Sequence, residues 1–92
     1  MAIGAKTVLP DMTHEAYEQM AQHLLPKIKD RPGFLLHISG PVEGGGYSVI
    51  EVWESEEQFT RWIEEEVMPV GQQAGVTVPT TEFFPVSNVV QR

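Results

Sequence analysis

The sequence predicts an α+β fold in the order strand, helix, strand, strand, helix, strand. Three observations predict it. Between Gly33 and Ser55, two runs rich in aromatic and branched residues flank a short glycine turn, Gly44-Gly45-Gly46, which is the signature of a β-hairpin. On either side of this hairpin, apolar residues recur at steps of three and four, the period of a helix with one buried face. Short stretches rich in Val, Thr, Ile and Phe open and close the chain, and such residues favour strands.

Each element has its own local cause. The first strand spans Ala2 to Leu9 and is ended by Pro10 and Asp11. Lys6 falls with Gly4 and Val8 and is expected at a rim, its stem along apolar surface and its ammonium in water. Thr13 is placed to cap the first helix, and Glu15 adds a negative charge in the first turn, where the helix dipole favours it. Tyr17, Met20, Ala21, Leu24 and Ile28 form the inward stripe of that helix. Pro26 is expected to kink it or end its regular part, and Arg31-Pro32-Gly33 closes it. His14 and His23 lie off the stripe and are expected to be exposed. Ser55-Glu56-Glu57-Gln58 fits a capping box. The second helix then runs with Phe59, Trp62, Ile63 and Val67 inward, and Pro69 is expected to end it. Val70 to Gly75 can hold a short helical turn. In the tail, Val76 to Val90, a strand is expected from about Thr80. Pro79 and Pro85 donate no ladder bond, which places them at an edge, an end or a bulge.

The hairpin carries the candidate chemistry. Strand side chains alternate between faces. Phe34, Leu36 and Ile38 therefore share one face, joined by Ser48, Ile50 and Val52 from the second run. Leu35, His37, Ser39, Tyr47, Val49, Glu51 and Trp53 take the other. The apolar face is expected to pack on the helices. The mixed face then needs a cover of its own, and a second copy of the chain can supply it. Any register that keeps the faces matched sets His37 opposite or diagonal to Glu51. An imidazole beside a carboxylate can act as an oriented acid or base. It can equally be a structural hydrogen bond. Phe83 and Phe84 face opposite sides, one meeting the helices and the other, taken as Phe84, the mixed face.

Composition bounds the function. The 92 residues make one small domain, 1–92, which buries only roughly two thirds of its unfolded surface. Six basic residues against thirteen acidic ones give a net charge of −7, which opposes binding to a phosphate backbone, so no nucleic-acid partner is expected. The acidic runs around Glu54–Glu57 and Glu64–Glu66 read as solvated faces. There is no cysteine, hence no disulfide framework or thiolate metal site, in keeping with a cytoplasmic protein. Met1 to Lys6 show no leader pattern, and no apolar run reaches the roughly 20 residues that span a bilayer. No persuasive metal-ligand spacing occurs, and no GxGxxG or phosphate loop is present. Neither a metal nor a cofactor is therefore expected.

The runs Pro32-Gly33-Phe34-Leu35-Leu36-His37, Gly44-Gly45-Gly46-Tyr47 and Glu51-Val52-Trp53-Glu54-Ser55-Glu56-Glu57-Gln58-Phe59 resemble the dimeric α/β-barrel proteins, most of all their antibiotic-biosynthesis-monooxygenase branch. The element order is the split βαβ pattern of ferredoxin-like domains. The resemblance implies a ferredoxin-like βαββαβ chain with a four-stranded antiparallel sheet, helices on one face, and two subunits packed sheet to sheet as a dimeric α/β barrel. It implies that Trp53, at the end of the third strand, lines a reaction cavity. With His37, Glu51 and Trp53 as catalytic groups, the candidate substrate wall is Leu35, Tyr47, Val49 and Phe84. The heme-degrading subset carries a His after its second helix. Here that region, Glu66 to Gln73, has none, which disfavours heme. Three functions remain open: a cofactor-independent monooxygenase acting on an apolar or aromatic small molecule of secondary metabolism, a cyclase or isomerase using His37 as acid and base on a polyketide-like substrate, and a non-catalytic homodimer binding a small apolar ligand. Fold alone does not choose among them. A membrane role has no basic amphipathic helix to support it.

Overall fold

The computed structural model describes residues 1–76 and 79–92. Its elements are β1 (Ala2–Leu9), α1 (His14–Ile28), β2 (Phe34–Pro41), β3 (Tyr47–Trp53), α2 (Glu56–Trp62), a π-helical turn (Ile63–Val67), α3 (Met68–Gln73) and β4 (Thr81–Val86). The strands form one antiparallel sheet in the order β2-β3-β1-β4, and the helices pack on one of its faces. This is the ferredoxin-like fold. Of the tail stretch, Thr77 and Val78 lie outside the described residues, and the strand covers only its middle. Pro85 sits in β4, an edge strand, one of the places where a residue without a backbone donor is tolerated.

Local signals act as the sequence predicts at the helix starts. The Thr13 hydroxyl accepts from the Ala16 amide at 3.1 Å. The Ser55 hydroxyl accepts from the Gln58 amide at 3.2 Å and donates to the Gln58 side chain at 3.0 Å. Pro26 lies inside α1, which continues through Ile28. Pro69 does not end the second helix, contrary to expectation. It follows the π-helical turn and opens α3. A proline ring clashes with the carbonyl four residues earlier in a regular helix. The wider turn before it, in which the Met68 amide bonds back to the Ile63 carbonyl, relieves that clash and lets the chain continue.

The faces of the sheet are reversed from the expected arrangement. The mixed face of the hairpin packs on the helices, and the apolar face is open in the single chain. Tyr47, Glu51 and Trp53 are buried, whereas Ile38 is 53% exposed. The reason is size and pairing. An aromatic side chain removes about 150–250 Å² from water, and both large aromatics of β3 lie on the mixed face. The polar groups beside them are paired with one another, which removes most of the cost of burying them. Phe34 also changes sides. It pairs with Trp53 while Leu36 pairs with Val52, so Leu35 is the extra residue of a β-bulge. The bulge turns Phe34 onto the helix side, its ring 5.5 Å from that of Trp53.

The core has two parts. Ala5, Leu24, Ile28, Trp53, Phe59 and Trp62 form one, with Trp53 wholly buried. Met12, Tyr17, Ala21 and Tyr47 form the other. Edge-to-face and tilted contacts join Trp53 to Phe59 and Trp62, each at 6.3 Å between ring centres. The hairpin turn lies close to the end of β1. Gly46 has φ +89, and a Cβ there would come within 2.7 Å of the Leu9 carbonyl oxygen. Gly46→Ala is expected to destabilise the protein by about 2 kcal/mol or more. Gly40, with no positive φ and open space around it, should tolerate Ala within about 0.5 kcal/mol. Urea unfolding of the two variants checks both values.

Candidate active site

Between the sheet and the helices lies a cavity of about 80 Å³. Its origin is a mismatch in size. β1 presents Ala5 and Thr7 to the helices, and these small side chains leave a gap between the two aromatic core clusters. Leu24, Met20, Ile63 and Val67 close it from the helix side, and Val49 from the sheet. Its wall is mostly apolar. The exceptions include Tyr17, His37 and Glu51.

These three groups are joined. The β2–β3 register sets His37 directly opposite Glu51, and His37 Nδ1 lies 2.7 Å from Glu51 Oε2. The Trp53 indole N–H donates to the other carboxylate oxygen at 2.9 Å. Glu51 and Trp53 are two apart on one strand and share a face, so the indole reaches back along β3 to the carboxylate. A buried carboxylate is costly unless hydrogen-bonded. Glu51, 5% exposed, has a partner on each oxygen. A carboxylate only accepts, so a neutral imidazole that gives its proton from Nδ1 keeps Nε2 as an acceptor. The Tyr17 hydroxyl lies 3.1 Å from Nε2. Burial pushes the Tyr17 phenol above its usual value, a hydrogen bond with Ser39 opposes this, and the Glu51 charge adds to it.

A second pair lies at the edge of this group. Tyr47 stacks on Tyr17, with ring centres 4.5 Å apart and planes at 15°. Its hydroxyl is bonded to His14 Nδ1. His14 is expected from the sequence to be exposed. It is exposed, but it holds the Tyr47 hydroxyl.

Of the residues the sequence singles out, His37, Glu51 and Val49 line the cavity. Trp53 is buried behind Glu51, and Tyr47 behind Tyr17. Leu35 and Phe84 do not line it. Leu35 is the bulge residue, 40% exposed, and Phe84 is 44% exposed. The Phe84 ring covers Gly4 on the open face, whereas Phe83 turns to the helices and meets Phe59 at 5.5 Å. Sequence reasoning missed Tyr17 because it sits in a regular helical stripe, where an aromatic reads as core. Its only distinguishing signal is that a phenol stands where a phenyl ring would pack as well. Among the described residues, no group of three His, Asp or Glu side chains could hold a metal ion, and no helix is long and apolar enough to cross a membrane.

No protein-family model matches the chain, and no curated protein matches it. Solved structures do. A variant of SnoaB, a cofactor-independent oxygenase from Streptomyces nogalater, superposes with a TM-score of 0.68 at 14% identity, over 99% of this chain and 97% of that one. A candidate antibiotic biosynthesis monooxygenase from Caulobacter crescentus gives 0.74 at 21% identity, over 95% and 91%. A variant of MhuD with two manganese protoporphyrin IX bound per active site gives 0.63 at 21% identity, over the full length of both. At these identities the likeness is one of fold, the ferredoxin-like fold that these proteins share with this chain.

The raised Tyr17 pKa sets a pH dependence. The native state favours the neutral phenol, so this contribution to stability is complete below about pH 10, the usual phenol value, and is lost as pH rises through the higher folded value. Tyr17→Phe should therefore flatten the fall of Tm on the alkaline side. Thermal unfolding of both chains from about pH 8 to about pH 11.5 reads the difference.

Proposed function

We propose that this chain is a small homodimeric enzyme, a cofactor-independent monooxygenase acting on an electron-rich aromatic small molecule. The observation that carries the reading is the buried His37–Glu51 pair at the wall of an otherwise apolar cavity. The fold shared with the oxygenase SnoaB supports it. Such a reaction needs a dry pocket and a base, because a deprotonated electron-rich aromatic can itself reduce dioxygen. For an activated ring methylene, the proton is taken up by the His37–Glu51 pair. The carbanion gives one electron to dioxygen, and the resulting radical and superoxide combine to a peroxide. Protonation and loss of water leave a carbonyl, so one methylene and one dioxygen become one carbonyl and one water. Trp53 holds Glu51 in place, and its ring supports the cavity end.

Size limits the substrate. An apolar cavity of about 150 Å³ takes up benzene, so a ring entering this smaller site of about 80 Å³ is expected to shift the helix layer outward. A porphyrin does not fit. His37, the one imidazole on the wall among the described residues, is bonded at both nitrogens.

The open sheet face supports the homodimer. Ile38, Phe84, Leu35 and Val8 are large, apolar and exposed there, and patches of this kind mark interfaces. Sedimentation at micromolar concentration should find a dimer. Ile38→Lys should give the monomer, and a monomeric unsubstituted chain would remove the paired-sheet arrangement.

Oxygen consumption with quinols, naphthols and anthrones tests the reaction. Uptake above the uncatalysed rate should fall by about 10²-fold or more in His37→Ala. It should fall less in Trp53→Phe, which removes the bond to Glu51 and leaves the base in place. Turnover to an isomeric product without oxygen uptake would instead identify a cyclase or isomerase.

A further inference from the structure

We infer that Tyr17, and not His37 itself, is the group that exchanges a proton with the ligand, passing its own proton to the His37–Glu51 pair behind it. The inference rests on the reading of this cavity as the reaction site.

The geometry makes His37 a second link. Its Nδ1 is bonded to Glu51 and its Nε2 to the Tyr17 hydroxyl. A ligand in the cavity therefore meets no free imidazole nitrogen. It meets the Tyr17 side chain, whose hydrogen is given to Nε2 and whose oxygen, hydrogen-bonded also with Ser39, keeps one lone pair to accept. The proton order is fixed from the far end. Glu51 accepts from Trp53 and from His37 Nδ1–H, so Nε2 is the acceptor and the phenol the donor. A ligand O–H or activated C–H then gives its proton to the Tyr17 oxygen as the Tyr17 proton moves to Nε2. The ligand becomes an anion and His37 an imidazolium facing the Glu51 carboxylate. Tyr17 is neutral before and after. The reverse transfer returns the proton to the product.

Two further features fit this role. Packing alone does not require the hydroxyl, since the Tyr17 ring is already held by its stack on Tyr47. The Tyr47 hydroxyl is bonded to His14 instead, so nothing on that ring competes for Nε2. The phenol also resists ionising alone, because burial disfavours its charged form. That keeps it in the state the relay needs.

Two measurements test the relay without oxygen chemistry. In the free protein, nitrogen-15 NMR of His37 should show the proton on Nδ1 and an Nε2 resonance that moves in Tyr17→Phe. A proton found on Nε2 overturns the relay whatever the ligand. The second measurement uses 4-nitrophenol, whose anion is coloured. Bound to the unsubstituted protein, its ionisation should shift down by about one pH unit or more. Tyr17→Phe, checked for its fold by circular dichroism and compared at saturating probe, should lose the shift. An equal shift in both proteins, or none in the unsubstituted one, overturns the proposal. An intact shift without oxygen uptake keeps the relay and removes the oxygenase reading.

Discussion

A carboxylate buried between a sheet and its helices is the constraint on which the rest of this structure depends. Glu51 must find partners, because an uncompensated charge in that position would cost several kcal/mol, about a third to a half of a small domain's stability. It finds two, on separate oxygens. Meeting that need fixes more than the carboxylate. It sets the orientation of the Trp53 ring, which then anchors the aromatic cluster with Phe34, Phe59 and Trp62. It also holds the His37 ring, whose other nitrogen reaches the Tyr17 hydroxyl. Packing and chemistry therefore share one network, and a change at either end is felt at the other.

The cavity follows from how the large side chains are distributed. The aromatics gather toward two clusters, one around Trp53 and one around Tyr47. Between them β1 offers only Ala5 and Thr7. Interiors are close-packed, and a gap retained between two well-packed clusters is where a ligand gains most by entering. The helix side of the gap includes Ile63 and Val67, the two ends of the π-helical turn. Such turns recur at functional sites. Here Pro69 gives it a local cause, so the same residue that lets the helix continue also widens the wall of the cavity.

The outer face of the sheet is a separate matter. Its apolar residues contribute nothing to the core of one chain, and a sheet with one bare apolar face is incomplete as a solvated object. The high proportion of acidic groups lies elsewhere, much of it on α2 and the π-helical turn, where Lys27 and Arg31 from the end of α1 pair with Glu66 and Glu65. Charge thus concentrates around the helices, and on the open sheet face the Lys6 and Glu82 pair of positions stands beside a largely apolar surface.

Much of the fold was legible in the sequence, since its signals are local. Thr13 and Ser55 cap helices by reaching amides three residues on, the stripes at Tyr17–Ile28 and Phe59–Val67 follow from helical period, and the glycine turn makes the hairpin. The meeting of His37 and Glu51 was legible too, because hairpin register relates residues close in sequence. What the sequence by itself did not determine was which face the helices would cover. Alternation sorts side chains into two faces without saying which is buried. Only the assembled core decides, by weighing the area of Trp53 and Tyr47 against the cost of burying a carboxylate that turns out to be paired. The bulge at Leu35, the passage of the helix through Pro69 and the placing of Phe84 over Gly4 were likewise settled in three dimensions. So was the role open to Tyr17, whose hydroxyl on α1 meets His37 on β2, a contact that no local pattern encodes.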